Sequence, residues 1–257
     1  MALTINTNLG SLIVQKNLDS ATKSLNQAIE RMTTGYKINS ARDDAAGYAV
    51  ATKMETTLGS ISVAQDNVAI GSSMLSTLES NYDLLTTHYQ RIRDLTEEAA
   101  NGTYGDDSIS AIKAEVTARM AEINRIAASA EFNGVKIMNG TKTGGVVLQI
   151  GVDSSDNSKL TLSADLFANA NSATLTEVAD ATLQGYYTAG GTNYGTALTA
   201  IDKALSKITT RQTNIGALQN RLDSASDALE VQYSNVTSSL STIKDADVAA
   251  ESSAYIK

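Results

Sequence analysis

Few residues in this chain can do chemistry, and their spacing decides what each could do. Arg42, Asp43 and Asp44 set two carboxylates beside a guanidinium, a grouping capable of acid-base work. No nucleophile, histidine or metal ligand accompanies them, so they read as ion-pairing groups that orient one molecule against another. Asp153-Ser154-Ser155-Asp156-Asn157 resembles the opening of a calcium loop, but the loop's required glycine and closing glutamate are missing. A hairpin turn is expected there instead. His88, between Leu85 and Tyr89, reads as a surface or seam-edge histidine and not as a catalytic one. Gly190-Gly191 lack the lysine and following hydroxyl residue of a phosphate loop.

The inventory excludes whole classes of function. With no cysteine and one histidine among 257 residues, disulfides, thiolate metal sites and two-histidine metal motifs are ruled out. Neither enzyme chemistry nor a cofactor is expected. A formal charge of -8 argues against nucleic acid, whose phosphates require a dense basic face. No run of ~20 apolar residues is present to cross a membrane. The segment Met1 to Asn8 lacks the basic head and apolar core of a cleaved secretory leader. The protein is therefore expected to stay in the cytoplasm or to leave by a route without cleavage.

The elements that must position these residues are long helices. Ordinary usage of ~5% proline would give about a dozen, yet the chain has none, so no missing amide donor breaks a helix. Ile201, Ile208, Ile215, Leu222, Leu229, Val236 and Ile243 recur every seven residues, which only a long helix can place on one face. That helix is expected from Thr196 to Ile243. Val14, Leu18, Ala21, Leu25, Ala28 and Met32 predict a first amphipathic helix from Asn8 to Thr34, ended by Gly35. Val68, Leu75, Tyr82 and Tyr89, interleaved with Leu78, Leu85, Ile92 and Ala99, predict a second from Tyr48 to Ala100. A third, capped by Asp107 or Ser108, carries the stripe Ile109, Ile112, Val116, Met120, Ile123 and Ala127. Asn133-Gly134 and Asn139-Gly140 are turn formers ahead of β-prone Val146 to Ile150 and Lys159 to Ser163. Phe167 to Tyr194, poor in large aliphatics, reads as a short exposed insertion.

Residues Thr34-Gly35-Tyr36-Lys37-Ile38-Asn39-Ser40-Ala41-Arg42-Asp43-Asp44-Ala45-Ala46-Gly47 resemble, almost position for position, the connector between the inner and outer helical domains of bacterial flagellins. Gln90 to Leu95, Glu131 to Lys136, Gly216 to Arg221 and Ile243 to Asp247 carry the resemblance in the same order along the chain. It implies a mainly α fold, an elongated antiparallel long-helix bundle or coiled coil with a small β-hairpin region. Residues 1–35 would form an inner, tube-lining helix and 36–56 the connector. Residues 57–166 would be the first part of the outer domain with its hairpin, 167–195 the exposed variable insertion and 196–243 the returning long helix. Residues 244–257 would begin a C-terminal inner segment. The family's final helix would follow Lys257, so the sequence is expected to be a truncated fragment in which the apolar face of Val14 to Met32 has no partner within its own subunit.

The resemblance also implies function: a non-enzymatic subunit of the extracellular flagellar filament, exported without a cleaved signal. Its partners would be copies of itself, an export chaperone and a cap, with neither nucleic acid nor membrane insertion. Some flagellins carry a zinc peptidase in the middle region, but its histidine pair is missing here. A hook-filament junction protein would share the terminal helices without the full connector. Asn39, Ser40, Arg42, Asp43, Asp44 and Gly47 are assigned to assembly. Gln90, Arg91, Leu95 and Glu115 correspond to a subunit-packing patch that also binds the host Toll-like flagellin receptor, with Arg91 as a bidentate fork and Leu95 as an apolar contact.

Overall fold

The computed structural model describes residues 8–188 and 190–256. The N-terminal residues ahead of Asn8, read above for a leader, and Lys257 lie outside the described residues. The chain forms two compact units, one of residues 1–62 with 230–257 and the other of residues 63–229.

In the first unit, helix α1 (Leu9–Thr34) starts where Asn8 Oδ1 accepts from the Ser11 amide at 3.2 Å, satisfying one of the free first-turn donors. It ends at Gly35, whose φ of 75° suits a residue without a Cβ. Helix α2 (Ala45–Ala100) begins ahead of the expected Tyr48 because the Asp44 carboxylate already accepts from the Ala46 and Gly47 amides, both at 3.0 Å. Helix α6 (Tyr194–Lys244) returns into this unit, and α7 (Val248–Ile256) follows, capped by Asp247.

One expectation is corrected here. The C-terminal part of α1 has a partner in its own chain: α7 lies against it, Arg31 and Glu251 pair at 3.1 Å, and Ala28 is buried. The N-terminal part has no such cover, and Leu12, Val14 and Leu18 are 59%, 66% and 65% exposed.

The second unit is built on antiparallel helices. Arg93 meets Asp202, Asp83 meets Gln212 and Glu79 meets Gln219, so α2 and α6 run in opposite directions with the two seven-residue ladders facing. Tyr82, Leu75, Leu85 and Ile92 are fully buried, as are Ile201, Ile208, Ile215 and Leu222. Each such side chain contributes roughly 1.5–3 kcal/mol over its exposed state. Leu229 is still buried, but Val236 and Ile243, in the first unit, are only partly covered. Helix α3 (Asp106–Ser129) buries its whole apolar stripe. Its cap differs from the expected Asp107 or Ser108. The helix opens at Gly105 with no side-chain cap, and Asp106 and Asp107 sit inside the first turn, where carboxylates favour the positive end of the helix dipole.

Two hairpins follow α3. Strands β1 (Glu131–Phe132) and β2 (Val135–Lys136) are joined by Asn133 and Gly134, both at positive φ, the backbone that a two-residue hairpin turn requires. Strands β3 (Val146–Gln149) and β4 (Lys159–Leu162) pair in register Val146 to Leu162. The turn at Asp153 is closed by that carboxylate accepting from the Ser155 amide and hydroxyl.

Residues 167–195 are not the exposed insertion expected. Helices α4 (Ser172–Thr176) and α5 (Asp180–Gly185) contact α3, and Phe167, Leu175, Leu183 and Tyr187 are buried. Few aliphatics suffice because polar groups complete the packing. Ser172 bonds to Asn124 and Asp180, and the Tyr187 hydroxyl meets Thr96.

Candidate functional site

The connector is held by its own carboxylates. Asp43 Oδ2 accepts from the Asn39 amide at 3.2 Å, the Ser40 amide at 2.9 Å and the Ser40 hydroxyl at 3.0 Å. These donors, the Ser40 amide foremost and its hydroxyl next, hold the Asp43 carboxyl below its ordinary value, because each favours the charged form. Asp44 caps α2, and Gly47 sits under it. A Cβ at Gly47 would lie 2.5 Å from Asp44 Oδ2 and 2.6 Å from Ile38 Cδ1. The two carboxylates therefore face their own backbone, which excludes them as a shared proton-transfer pair. Arg42 is exposed and makes no ion pair among the described residues.

This loop is also clamped to the returning chain. Tyr36 bridges to Asp245, the Lys37 amide donates to the Lys244 carbonyl at 2.8 Å, and the Ala246 amide donates to the Gly35 carbonyl at 2.8 Å. Lys37 Nζ reaches the Thr242 carbonyl at 2.8 Å. Lys244 pairs with Glu55 and stands 4.5 Å over the Tyr36 ring. That bond to Glu55 raises the Lys244 pKa above its ordinary value. Sequence spacing could not find this clamp, since its partners lie about two hundred positions apart.

In the second unit, Arg91 and Glu115 come together. Arg91 Nε is 3.2 Å from Glu115 Oε1, and Arg119, one turn beyond Glu115 on α3, binds the same oxygen from the other side at 2.9 Å. Arg119 first and Arg91 second hold the Glu115 carboxyl below its ordinary value. The i, i+4 spacing to Glu115 could have signalled Arg119. Gln90 is exposed beside Arg91. Leu95 is different: it is 2% exposed, inside the seam, and cannot offer the apolar surface contact expected of it.

Arg211 was not singled out by sequence. It is 5% exposed, and its Nη1 donates to the Tyr82 hydroxyl at 3.1 Å and to the Ala168 carbonyl at 3.3 Å. Tyr82 passes the chain of bonds on to the Leu166 carbonyl, tying the segment after the hairpin across α2 and α6. Burial raises the Tyr82 pKa. Among the described residues no three acidic or histidine side chains gather to hold a metal, and no helix is long and apolar enough to cross a membrane.

Comparisons with known proteins agree with this architecture. The bacterial flagellin N-terminal helical region matches residues 5–143, and the bacterial flagellin C-terminal helical region matches residues 198–257. A flagellin of Listeria monocytogenes is 31% identical over 258 residues, covering 98% of this chain and 90% of that one. Against other flagellins matched at 40 or 41% identity, the chain spans 44% of their length or less. The crystal structure of Bacillus cereus flagellin aligns with a TM-score of 0.51 at 25% identity, over 64% of this chain and 88% of that one. A solved structure described as flagellar hook-associated, from Vibrio parahaemolyticus, aligns with a TM-score of 0.66 over 79% of this chain and all of that one; its 18% identity shows the fold alone. Both helical regions in their proper order, with a near end-to-end likeness to the Listeria protein, make this chain a member of the bacterial flagellin family.

Proposed function

We propose that this chain is a structural subunit, not an enzyme, that polymerises into the filament of a bacterial flagellum and so serves swimming motility. One observation carries the reading: an uncovered apolar helical surface in the first unit. Leu9, Val14 and Leu18 on α1 are 65% exposed or more. Exposed apolar surface marks an association site. Repeated heterologous contacts between identical chains build an open helical filament. In this reading the filament lies outside the cell, the chain is exported without a cleaved leader, and an export chaperone and a cap attend it on the way. The test is sedimentation over a concentration series seeded with sheared polymer. Pelleting above a critical concentration, abolished in Leu18→Glu, is the expected result; a chain that remains monomeric with seeds present would refute the reading.

A second reading concerns the host Toll-like flagellin receptor. Arg91, Glu115 and Gln90 lie on one exposed patch, and this favours their use as receptor contacts. Leu95, buried inside the seam, is not among the contacts of this reading. Receptor affinity of the monomer should fall at least tenfold in Arg91→Ala, and an unchanged affinity would remove the reading.

A further inference from the structure

The tripeptide Asn-Gly-Thr occurs at Asn101-Gly102-Thr103 and again at Asn139-Gly140-Thr141, and another Asn-Gly pair stands at Asn133-Gly134. Asparagine is thermolabile, because the nitrogen of the following peptide can attack its side-chain amide carbon, and a following glycine puts no Cβ in the way. Geometry decides whether the attack occurs, and these sites differ in geometry.

At Asn101 the parts are assembled. Asn101, Gly102 and Thr103 follow the last turn of α2 and are all exposed. Asn101 Oδ1 accepts from the Thr103 amide at 3.3 Å and from the Thr103 hydroxyl at 3.2 Å. This turn folds the side chain over the peptide it must react with, and it sets two donors on the oxygen where negative charge would develop. The Gly102 amide makes no hydrogen bond among the described residues, and nothing lies within 4 Å of a Cβ built on Gly102.

Asn139 has the same donors, closer still, with the Thr141 amide at 3.1 Å and its hydroxyl at 2.7 Å. Its nucleophile, however, is taken. The Gly140 amide donates to the Phe167 carbonyl at 3.0 Å, and a Cβ built on Gly140 would stand 3.2 Å from the Asn169 nitrogen, so this peptide is held where it packs. Asn133 fails for a different reason. Its φ of 48° is left-handed, a region where ψ is about +30 to +60°. Rotation of that sense about the Cα–C bond carries the Gly134 nitrogen to the side opposite Cβ, away from the side-chain carbon.

We propose that Asn101 is a site of spontaneous, age-dependent modification, to which the fold directs the reaction while sparing Asn133 and Asn139. Hydroxide removes the proton from the Gly102 nitrogen, whose electron pair forms a bond to Asn101 Cγ. The Cγ–Nδ2 bond then breaks, and its nitrogen leaves as ammonia with a proton taken from water, which regenerates hydroxide. The five-membered imide that remains adds water at one of its two carbonyls. Cleavage of the ring at Cγ gives aspartate, and cleavage at the backbone carbonyl gives isoaspartate, with the chain running through the side-chain carbon. Nothing is oxidised or reduced. Either product puts a new carboxylate at the negative end of α2, beside Glu97 and Glu98. Isoaspartate also lengthens the turn that the Tyr104 amide closes on the Asn101 carbonyl at 3.3 Å. The corner between α2 and α3 therefore loosens as the protein ages.

The full chain is incubated in mildly alkaline buffer, folded in one series and unfolded in urea in another, then digested at intervals. Peptides are weighed for the exchange of the amide for a carboxyl, and isoaspartate is read with an isoaspartyl methyltransferase and a labelled methyl donor. In the folded chain the Asn101 peptide should convert at least about tenfold faster than those of Asn133 and Asn139, the scale on which misplaced reacting groups lose rate. In urea the three should convert at comparable rates. Equal rates in the folded chain, or conversion led by Asn133 or Asn139, would overturn the proposal. Asn101 leading by the same factor in urea would overturn the part assigned to the fold.

Discussion

Gly47→Ala should destabilise the connector, although alanine is the better helix former. Gly47 lies in the first turn of α2, where replacing glycine by alanine ordinarily gains about 1 kcal/mol. Here the new methyl would meet Asp44 Oδ2 at 2.5 Å and Ile38 Cδ1 at 2.6 Å. Asp44 can move aside only by releasing the Ala46 and Gly47 amides, a lost cap that costs about 1 kcal/mol. Ile38 is 4% exposed, and displacing a packed side chain costs about 1–3 kcal/mol. The sum leaves a net loss of about 1–3 kcal/mol. Gly59, also in α2, is the control: nothing lies within 4 Å of a Cβ built there, so Gly59→Ala should gain about 1 kcal/mol. Native-state hydrogen exchange at the Tyr48 amide, which donates to the Asp44 carbonyl at 2.9 Å, reads the first change directly. Its protection should fall about tenfold in Gly47→Ala and hold in Gly59→Ala, since 1.4 kcal/mol is a factor of ten. Equal protection in Gly47→Ala and the parent would refute the steric argument.

Further outcomes follow from the packing and the charges. Ile208→Ala and Leu222→Ala, at fully buried rungs, should each cost about 2–5 kcal/mol in a urea melt, whereas Val236→Ala, at a half-covered rung, should cost under about 1 kcal/mol. Because the native pKa of Asp43 lies below its unfolded value of 3.8, its contribution is fully present above that value and is lost as pH falls through the lower native pKa. Asp43→Asn should therefore flatten the acid limb of connector stability in a pH series of exchange rates. Amides of α1 should divide sharply in the monomer, with slow exchange near Ala28 and Arg31, where α7 lies against the helix, and fast exchange from Leu12 to Leu18. Uniform protection along α1 would contradict the division.

Periodicity made much of the fold legible. A seven-residue repeat that survives from Ile201 to Leu229 can only be a buried helix face, and the structure buries it. The same logic could have corrected Leu95, which follows Ile92 by three and precedes Ala99 by four, the spacing of the inward face. Resemblance assigned it to a surface patch, and the local period was the better guide. What could not be read was packing beyond the long helices. Phe167, Leu175, Leu183 and Tyr187 lie on or beside separate short elements and not on one continuous helix, and their burial depends on distant polar partners such as Asn124 and Thr96. The connector shows the same division. Its local turn bonds follow from Asp and Ser placed three or four residues apart, but the clamp from Gly35, Tyr36 and Lys37 to residues 242–246 exists only once the chain has returned.

The central claim is that exposed apolar helices of identical chains cover one another in a helical filament. Electron micrographs of the chain, concentrated in ammonium sulfate to strengthen apolar burial and seeded with sheared polymer, test it most directly. Long filaments of uniform diameter that shorten or vanish with Leu18→Glu are predicted. Dispersed particles or amorphous aggregate, unaffected by Leu18→Glu, would contradict it.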